Sequence, residues 1–162
     1  MAMDRVLTQL SSGYPHAKYR KITLYVPSRL GLLFRKAAAK DGFRLVDFGR
    51  ILVTLGLTVT LLNVDEAWIT RARKRALLGR LGGTSRRGYA YRNMGRSGVW
   101  VAVCLPVGVL SLVKEFTQSA GLSRNEALRS FLRLGLATYL RGKTTLLRAM
   151  AQAENTPAKL NR

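Results

Sequence analysis

The stretch KITLYVP, Lys21 to Pro27, alternates polar and apolar residues and stops at a proline. In an extended chain successive side chains point to opposite faces, so Ile22, Leu24 and Val26 share one face while Lys21, Thr23 and Tyr25 share the other. The pattern predicts a short strand with one face on a core. Proline has no amide hydrogen to continue a ladder, and its fixed φ suits the first turn of a helix. Strand is therefore expected to pass directly into helix at Pro27.

The same punctuation returns at Pro106, 79 residues later. Without gaps, this offset relates Gly42 to Gly121, Arg50 to Arg129, Leu33 to Leu112, Leu61 to Leu140, and the triplet Leu55-Gly56-Leu57 to Leu134-Gly135-Leu136. Glycine, proline and apolar positions that recur together are what two copies of one backbone require. In the second strand Val101, Val103 and Leu105 point inward, and Trp100, Ala102 and Cys104 point outward.

After each proline, apolar residues spaced i, i+3, i+4, i+7 mark one helical stripe: Leu30, Leu33, Phe34 and Ala37, then Val109, Leu112, Val113 and Phe116. Gly42 and Gly121 are expected to supply the left-handed turn that ends this helix. A more apolar second helix follows. In the second copy Ser123 and Glu126 form a capping box at its start. Arg44 stands at the matching place in the first copy, with Asp47 three residues on. Gly56 and Gly135 lie at equivalent places in the two second helices, where a missing side chain lets them cross closely. A lone strand with two short helices cannot bury its apolar face, so the two copies are expected to share one core.

Charge is the strongest feature of the composition. The 162 residues carry 28 Lys and Arg against 8 Asp and Glu, a formal net charge of +20, with a pI near 11.5 and 48% hydrophobic residues. The apolar fraction is enough for a core, while uncompensated positive charge repels itself on compaction and points to a polyanionic partner. Nucleic acid is the first candidate and anionic membrane the second. Cys104 is the single cysteine and His16 the single histidine, which excludes an internal disulfide and a soft-ligand zinc site, and fits a reducing cytoplasm. The opening residues lack the apolar core of a signal peptide. The longest apolar run, Ile51 to Leu62, has 12 residues where a membrane-spanning helix needs about 20, so it is expected inside protein.

A strand, a proline, a helix, a glycine turn and a more apolar helix, in KITLYVP with DGFRLVDFGRILVTLGL and again in VWVAVCLP with AGLSRNEALRSFLRLGL, resemble the ribbon-helix-helix DNA-binding family. The resemblance implies a mostly α protein with a two-stranded antiparallel β-ribbon, here an intramolecular ribbon-helix-helix pseudo-dimer. Its parts are a basic arm over residues 1–19, units over 20–63 and 99–143 forming one folded domain, a basic and partly helical linker over 64–98, and a C-terminal helix and tail over 144–162. The partner is then double-stranded DNA, with the ribbon in the major groove.

Lys21, Thr23 and Tyr25 become candidates for base contact. Lysine can donate to guanine, threonine can bond either way or touch a thymine methyl, and tyrosine offers a hydroxyl. Trp100, Ala102 and Cys104 complete the face with mainly apolar contact and one indole donor, and depart from the polar triplet usual in the family. The two half-sites should therefore differ. The resemblance further implies that the amino ends of both second helices grip phosphates, through Ser123, Arg124 and Asn125 in one copy and Arg44 in the other. Between Arg71 and Arg96 there are nine basic residues and no acidic one. Arg71, Arg73, Lys74, Arg75, Arg86 and Arg87 are phosphate candidates there, and Arg20 in the amino arm joins them. A rival reading lays Trp68, Ile69, Leu77 and the arginines on anionic lipid as an amphipathic helix; the ribbon pattern already accounts for the charge without a membrane.

No acid-base signature or phosphate-cradling glycine loop marks an enzyme, and no cofactor or metal is expected. Single-chain tandem arrangements of this kind are similar to accessory proteins of conjugative-plasmid relaxosomes. That likeness implies a relaxase or another DNA-processing protein as partner. The unusually apolar second helix of the first copy is expected to pack against the amino arm, the closing helix or another molecule, and the last case gives self-association on adjacent DNA sites. The alternative within the same family is a transcriptional repressor, for which a palindromic site is usual.

Overall fold

The computed structural model describes residues 18–63, 77–78 and 98–154, with side chains described up to residue 144 of the last segment. Its elements run β1 (Tyr19–Pro27), α1 (Ser28–Lys40), α2 (Leu45–Leu62), β2 (Gly98–Pro106), α3 (Val107–Ala120) and α4 (Arg124–Glu154). The protein is mostly helical, with β1 and β2 paired as a two-stranded antiparallel sheet.

Alternation decides which face of the sheet is buried. Ile22, Leu24 and Val26 from β1 meet Val101, Val103 and Leu105 from β2 in one core, beside Phe34, Phe48, Leu52, Leu57, Val113, Leu128 and Phe131 from the helices. Leu78, from the segment between the copies, is fully buried in the same core. At roughly 1.5–3 kcal/mol for each fully buried large aliphatic or aromatic side chain, this shared core is the main stabilising term.

Each proline closes its strand and stands one residue before its helix. Pro27 has φ −54° and ψ 140°, and Pro106 has φ −58° and ψ 144°. Strand passes directly into helix as expected, with the proline at the N-cap position and not inside the first turn. The ring fixes φ near a value common to extended and helical backbone, so ψ stays extended and the change to helix waits for Ser28 and Val107. The glycine turns form as expected, with φ of +72° at Gly42 and +62° at Gly121.

The register places Thr23 opposite Ala102, Lys21 opposite Cys104 and Tyr25 opposite Trp100. Thr23 and Ala102 are themselves 79 residues apart, so the strands pair about one and the same position of the repeat. The helices obey the same offset where they cross. A Cβ on Gly56 would lie 2.0 Å from the Phe131 carbonyl oxygen, and one on Gly135 would lie 1.8 Å from that of Leu52. Backbone meets backbone at both points, and neither side can yield locally, so only glycine permits the approach.

Two helical readings are corrected. Leu33 is 43% exposed, and the buried residues of α1 are Gly31, Phe34, Ala37 and Ala38, with Leu30 partly buried. Gly31 gives no hydrophobic signal, so apolar spacing alone turns the stripe too far toward Leu33. In α3 all four stripe residues, Val109, Leu112, Val113 and Phe116, are buried as read. The closing helix expected near the end is a continuation of α4, which runs unbroken for 31 residues against 18 in α2. Gly142 lies inside it, and a single exposed glycine costs only about 1 kcal/mol relative to alanine without breaking a helix.

Among the described residues α2 is the one helix long and apolar enough, by length and composition, to cross a bilayer. The 12-residue run is therefore part of a longer apolar element than the sequence suggested. Phe48, Leu52, Val53 and Leu57 lie in the core, whereas Ile51 and Leu62, expected inside protein, are exposed, because only one face of the helix meets the core.

Candidate functional site

With one face of the sheet buried, the opposite face carries the six residues singled out for base contact. Lys21 and Thr23 are exposed, Trp100 is 65% exposed, and Tyr25, Ala102 and Cys104 are half-buried. All six lie within the paired register, so they form one continuous surface holding a cation, a hydroxyl, two aromatic rings, a methyl and a thiol.

The ring of Tyr25 is braced from both sides. Its hydroxyl accepts the Gly98 amide hydrogen at 2.9 Å, and its centroid lies 5.1 Å from that of Trp100 with the planes at 57°. A Cβ at 98 would lie 2.2 Å from the Tyr25 ring, so a side chain there would displace the ring from this position. The backbone of Tyr25 is held as well, since its carbonyl accepts from the Arg129 guanidinium at 3.3 Å. Arg50, the repeat equivalent of Arg129, sets its guanidinium 5.5 Å from the Tyr19 ring, near the range of a cation–π contact. At the far end the Val107 amide donates to the Lys18 carbonyl at 3.0 Å. Sequence reading missed Gly98 and Arg129 as residues that position the face. The repeated arginine at 50 and 129 was the available signal for one of them; nothing local marks Gly98.

The starts of α2 and α4, where the phosphate candidates lie, differ in chemistry. At α4 the Ser123 hydroxyl accepts the Glu126 amide at 3.3 Å, and the Glu126 carboxylate accepts the Ser123 amide at 2.9 Å, completing the expected capping box. A capping box leaves the amides of the two residues between without intrahelical partners. Those residues are Arg124 and Asn125, both exposed. At α2 no side chain caps the helix. Asp47 instead accepts from Arg44 Nε at 2.6 Å and pairs with Arg50 at 3.2 Å. The Arg44 hydrogen bond holds the Asp47 carboxyl below the usual aspartate range, with Arg50 adding to it, and Asp47 in turn raises Arg44. Arg44 is 85% exposed, yet its charge is partly answered within its own helix turn.

Arg20 is exposed at the start of β1, opposite Leu105. Arg71, Arg73, Lys74, Arg75, Arg86 and Arg87 lie outside the described residues, as does the amino arm through residue 17. A further polar cluster joins the copies through Asp41, Tyr139 and Lys143. Asp41 accepts from the Tyr139 hydroxyl at 2.7 Å and pairs with Lys143. These contacts hold the Asp41 carboxyl below its ordinary range, Lys143 first and Tyr139 second, and Asp41 raises the Tyr139 phenol.

A comparison with family models, curated proteins and solved structures finds no match for this chain.

Proposed function

We propose that the chain is a ribbon-helix-helix pseudo-dimer that binds double-stranded DNA sequence-specifically, laying β1 and β2 in the major groove. The observation that carries this reading is the outward face itself. Two repeated strands present Lys21, Thr23, Tyr25, Trp100, Ala102 and Cys104 on one accessible surface, in a protein of net charge +20. A two-stranded ribbon has the width to enter the major groove, where base edges carry a distinct donor and acceptor code. Arg124, Asn125 and Ser123 at one flank, and Arg44 at the other, serve as phosphate contacts that fix the register. Basic residues of the linker add charge along the backbone.

Within that class, an accessory role in plasmid or mobile-element DNA processing and conjugative transfer fits better than repression. The two strands carry unlike outward residues, and a palindromic operator would ask for like ones. A relaxase or another DNA-processing protein is the partner in such a role. Occupancy near a transfer origin supports the accessory role, and occupancy of the chain's own promoter supports repression.

The test of DNA reading is selection of bound duplexes from a random pool, followed by titration over a range of salt. Lys21→Ala should weaken the selected duplex by about tenfold or more, the loss of one good base contact. Arg124→Ala should weaken all duplexes alike and flatten the log–log salt dependence by about 0.9. Equal affinity of the unaltered protein for every duplex would reduce the reading to a nonspecific coat.

A further inference from the structure

Antiparallel pairing mixes the two outward triplets. Lys21 lies beside Cys104 at one end of the face, Tyr25 lies beside Trp100 at the other, and Thr23 and Ala102 stand between. The expected contrast between a polar and a mainly apolar half-site thus becomes a contrast between two ends of one ribbon, each built from both copies.

The two ends have different chemistry. At the first, an exposed ammonium and a thiol face outward, and the paired strands carry no carboxylate anywhere along their length. At the second, the Tyr25 hydroxyl is engaged with the Gly98 amide and its ring supports Trp100. Trp100 stands 65% exposed. The apolar group that the major groove offers to such a surface is the thymine C5-methyl, whereas guanine O6 and N7 are the acceptors that suit a lysine. Lys21 and Tyr25 are four residues apart, about 13 Å along a strand, which is roughly four base-pair steps.

Resting on the DNA-binding reading above, we propose that the ribbon reads an asymmetric duplex site, with Lys21 on guanine at one end and the Tyr25–Trp100 pair on thymine methyl groups about four base pairs away. Asymmetry then comes from the register of the ribbon, and Gly98 and Arg129 act as positioning residues for its aromatic end.

The experiment uses the full chain and duplexes selected from a random pool at about 0.15 M salt. The selected duplex is compared with the same duplex carrying deoxyuridine for thymidine, which removes only the C5-methyl. The expected motif lacks two-fold symmetry. Each methyl removed at the aromatic end should lower affinity about fourfold, the transfer value of one buried carbon. Trp100→Ala should bind both duplexes equally, and Trp100→Phe should restore the discrimination. Lys21→Ala should relax the guanine preference and leave the methyl effect intact. A palindromic motif, or a deoxyuridine effect that survives Trp100→Ala, overturns the proposal while leaving DNA binding in place. Failure to select any duplex overturns the DNA-binding reading and this proposal together. Trp100 is exposed, so both variants should fold, and their helical circular dichroism checks that they do.

Discussion

The starts of α2 and α4 hold matching places in the repeat and are made differently. Ser123 and Glu126 close a reciprocal cap on α4, whereas α2 begins at Arg44 without a side-chain cap, and Asp47 turns to two guanidinium groups instead. The middles of the same helices are alike. Gly56 and Gly135 touch Phe131 and Leu52 backbone in equivalent contacts. Core volume behaves in a third way. The first copy pairs Phe34 with Phe48, where the second has Val113 and Ala127, while the second pairs Phe116 with Phe131, where the first has Ala37 and Leu52. Identity is thus kept where two backbones touch, bulk is redistributed where side chains fill a common space, and chemistry is free where helices end in solvent.

The largest effect should come from breaking the likeness at the crossing. Gly135→Ala forces a methyl into the Leu52 carbonyl and should destabilise by about 3 kcal/mol or more, with Gly56→Ala close behind. Gly142→Ala is the control, since a Cβ there meets nothing within 4 Å, and it should stabilise by up to about 1 kcal/mol. Urea unfolding followed by circular dichroism measures all three. An unchanged midpoint for either crossing variant would mean that the two helices do not approach through these glycines.

Those glycines were legible because a repeat compares a chain with itself. The offset of 79 picked out Gly56 with Gly135 and Pro27 with Pro106, and alternation sorted all twelve residues from 21 to 26 and from 100 to 105 onto their correct faces. The turns at Gly42 and Gly121 and the cap at Ser123 followed from local chemistry that needs no tertiary knowledge. What was missed at Gly31 and Gly98 depended on neighbours. Gly31 lies in the α1 stripe because that helix packs closely on the sheet, a fact apolar spacing does not encode. The hydrogen bond from Gly98 to Tyr25 joins residues 73 apart and depends on strand register, which fixes Tyr25 beside Trp100. The pairing of Lys21 with Cys104, which redraws the site, came from register as well.

A smaller and more selective effect should follow from the cluster at Asp41, which exists on one side only, because the second copy has Ala120 in its place. The Asp41 carboxyl is held below the ordinary aspartate value of 3.8, so its contribution is full above that value and is lost as pH falls through the lowered one. The Tyr139 phenol is held above its ordinary 10.0, so its contribution is full below that value and is lost as pH rises through the raised one. The stability difference between the unaltered chain and Asp41→Ala should therefore be level between these limits and shrink toward both extremes. Asp47→Ala should shrink the difference at the acid end, as its carboxyl is also lowered, but not through a phenol at the alkaline end. Parallel pH profiles for the two variants would show that the Tyr139 bond adds nothing.

The smallest effect concerns the helix starts and tests why they differ. Ser123→Ala removes the hydroxyl that accepts the Glu126 amide and should cost about 1 kcal/mol. The reverse graft, Arg44→Ser with Asp47→Glu, writes the same capping box into α2. It also removes an exposed ion pair of the kind that contributes little to stability, so the grafted chain should unfold at a slightly higher urea concentration. Arg44 would then be dispensable for the fold. On the DNA-binding reading proposed above, its loss should show instead in the salt dependence of binding, where the slope falls by less than the value of about 0.9 for a full phosphate contact, because Asp47 already answers part of its charge. Higher stability with a flatter salt slope would mean that the uncapped start of α2 is kept for the polyanion. Lower stability with an unchanged slope would mean that Arg44 and Asp47 hold the helix, and the start of α4 would be left as the proposed phosphate contact.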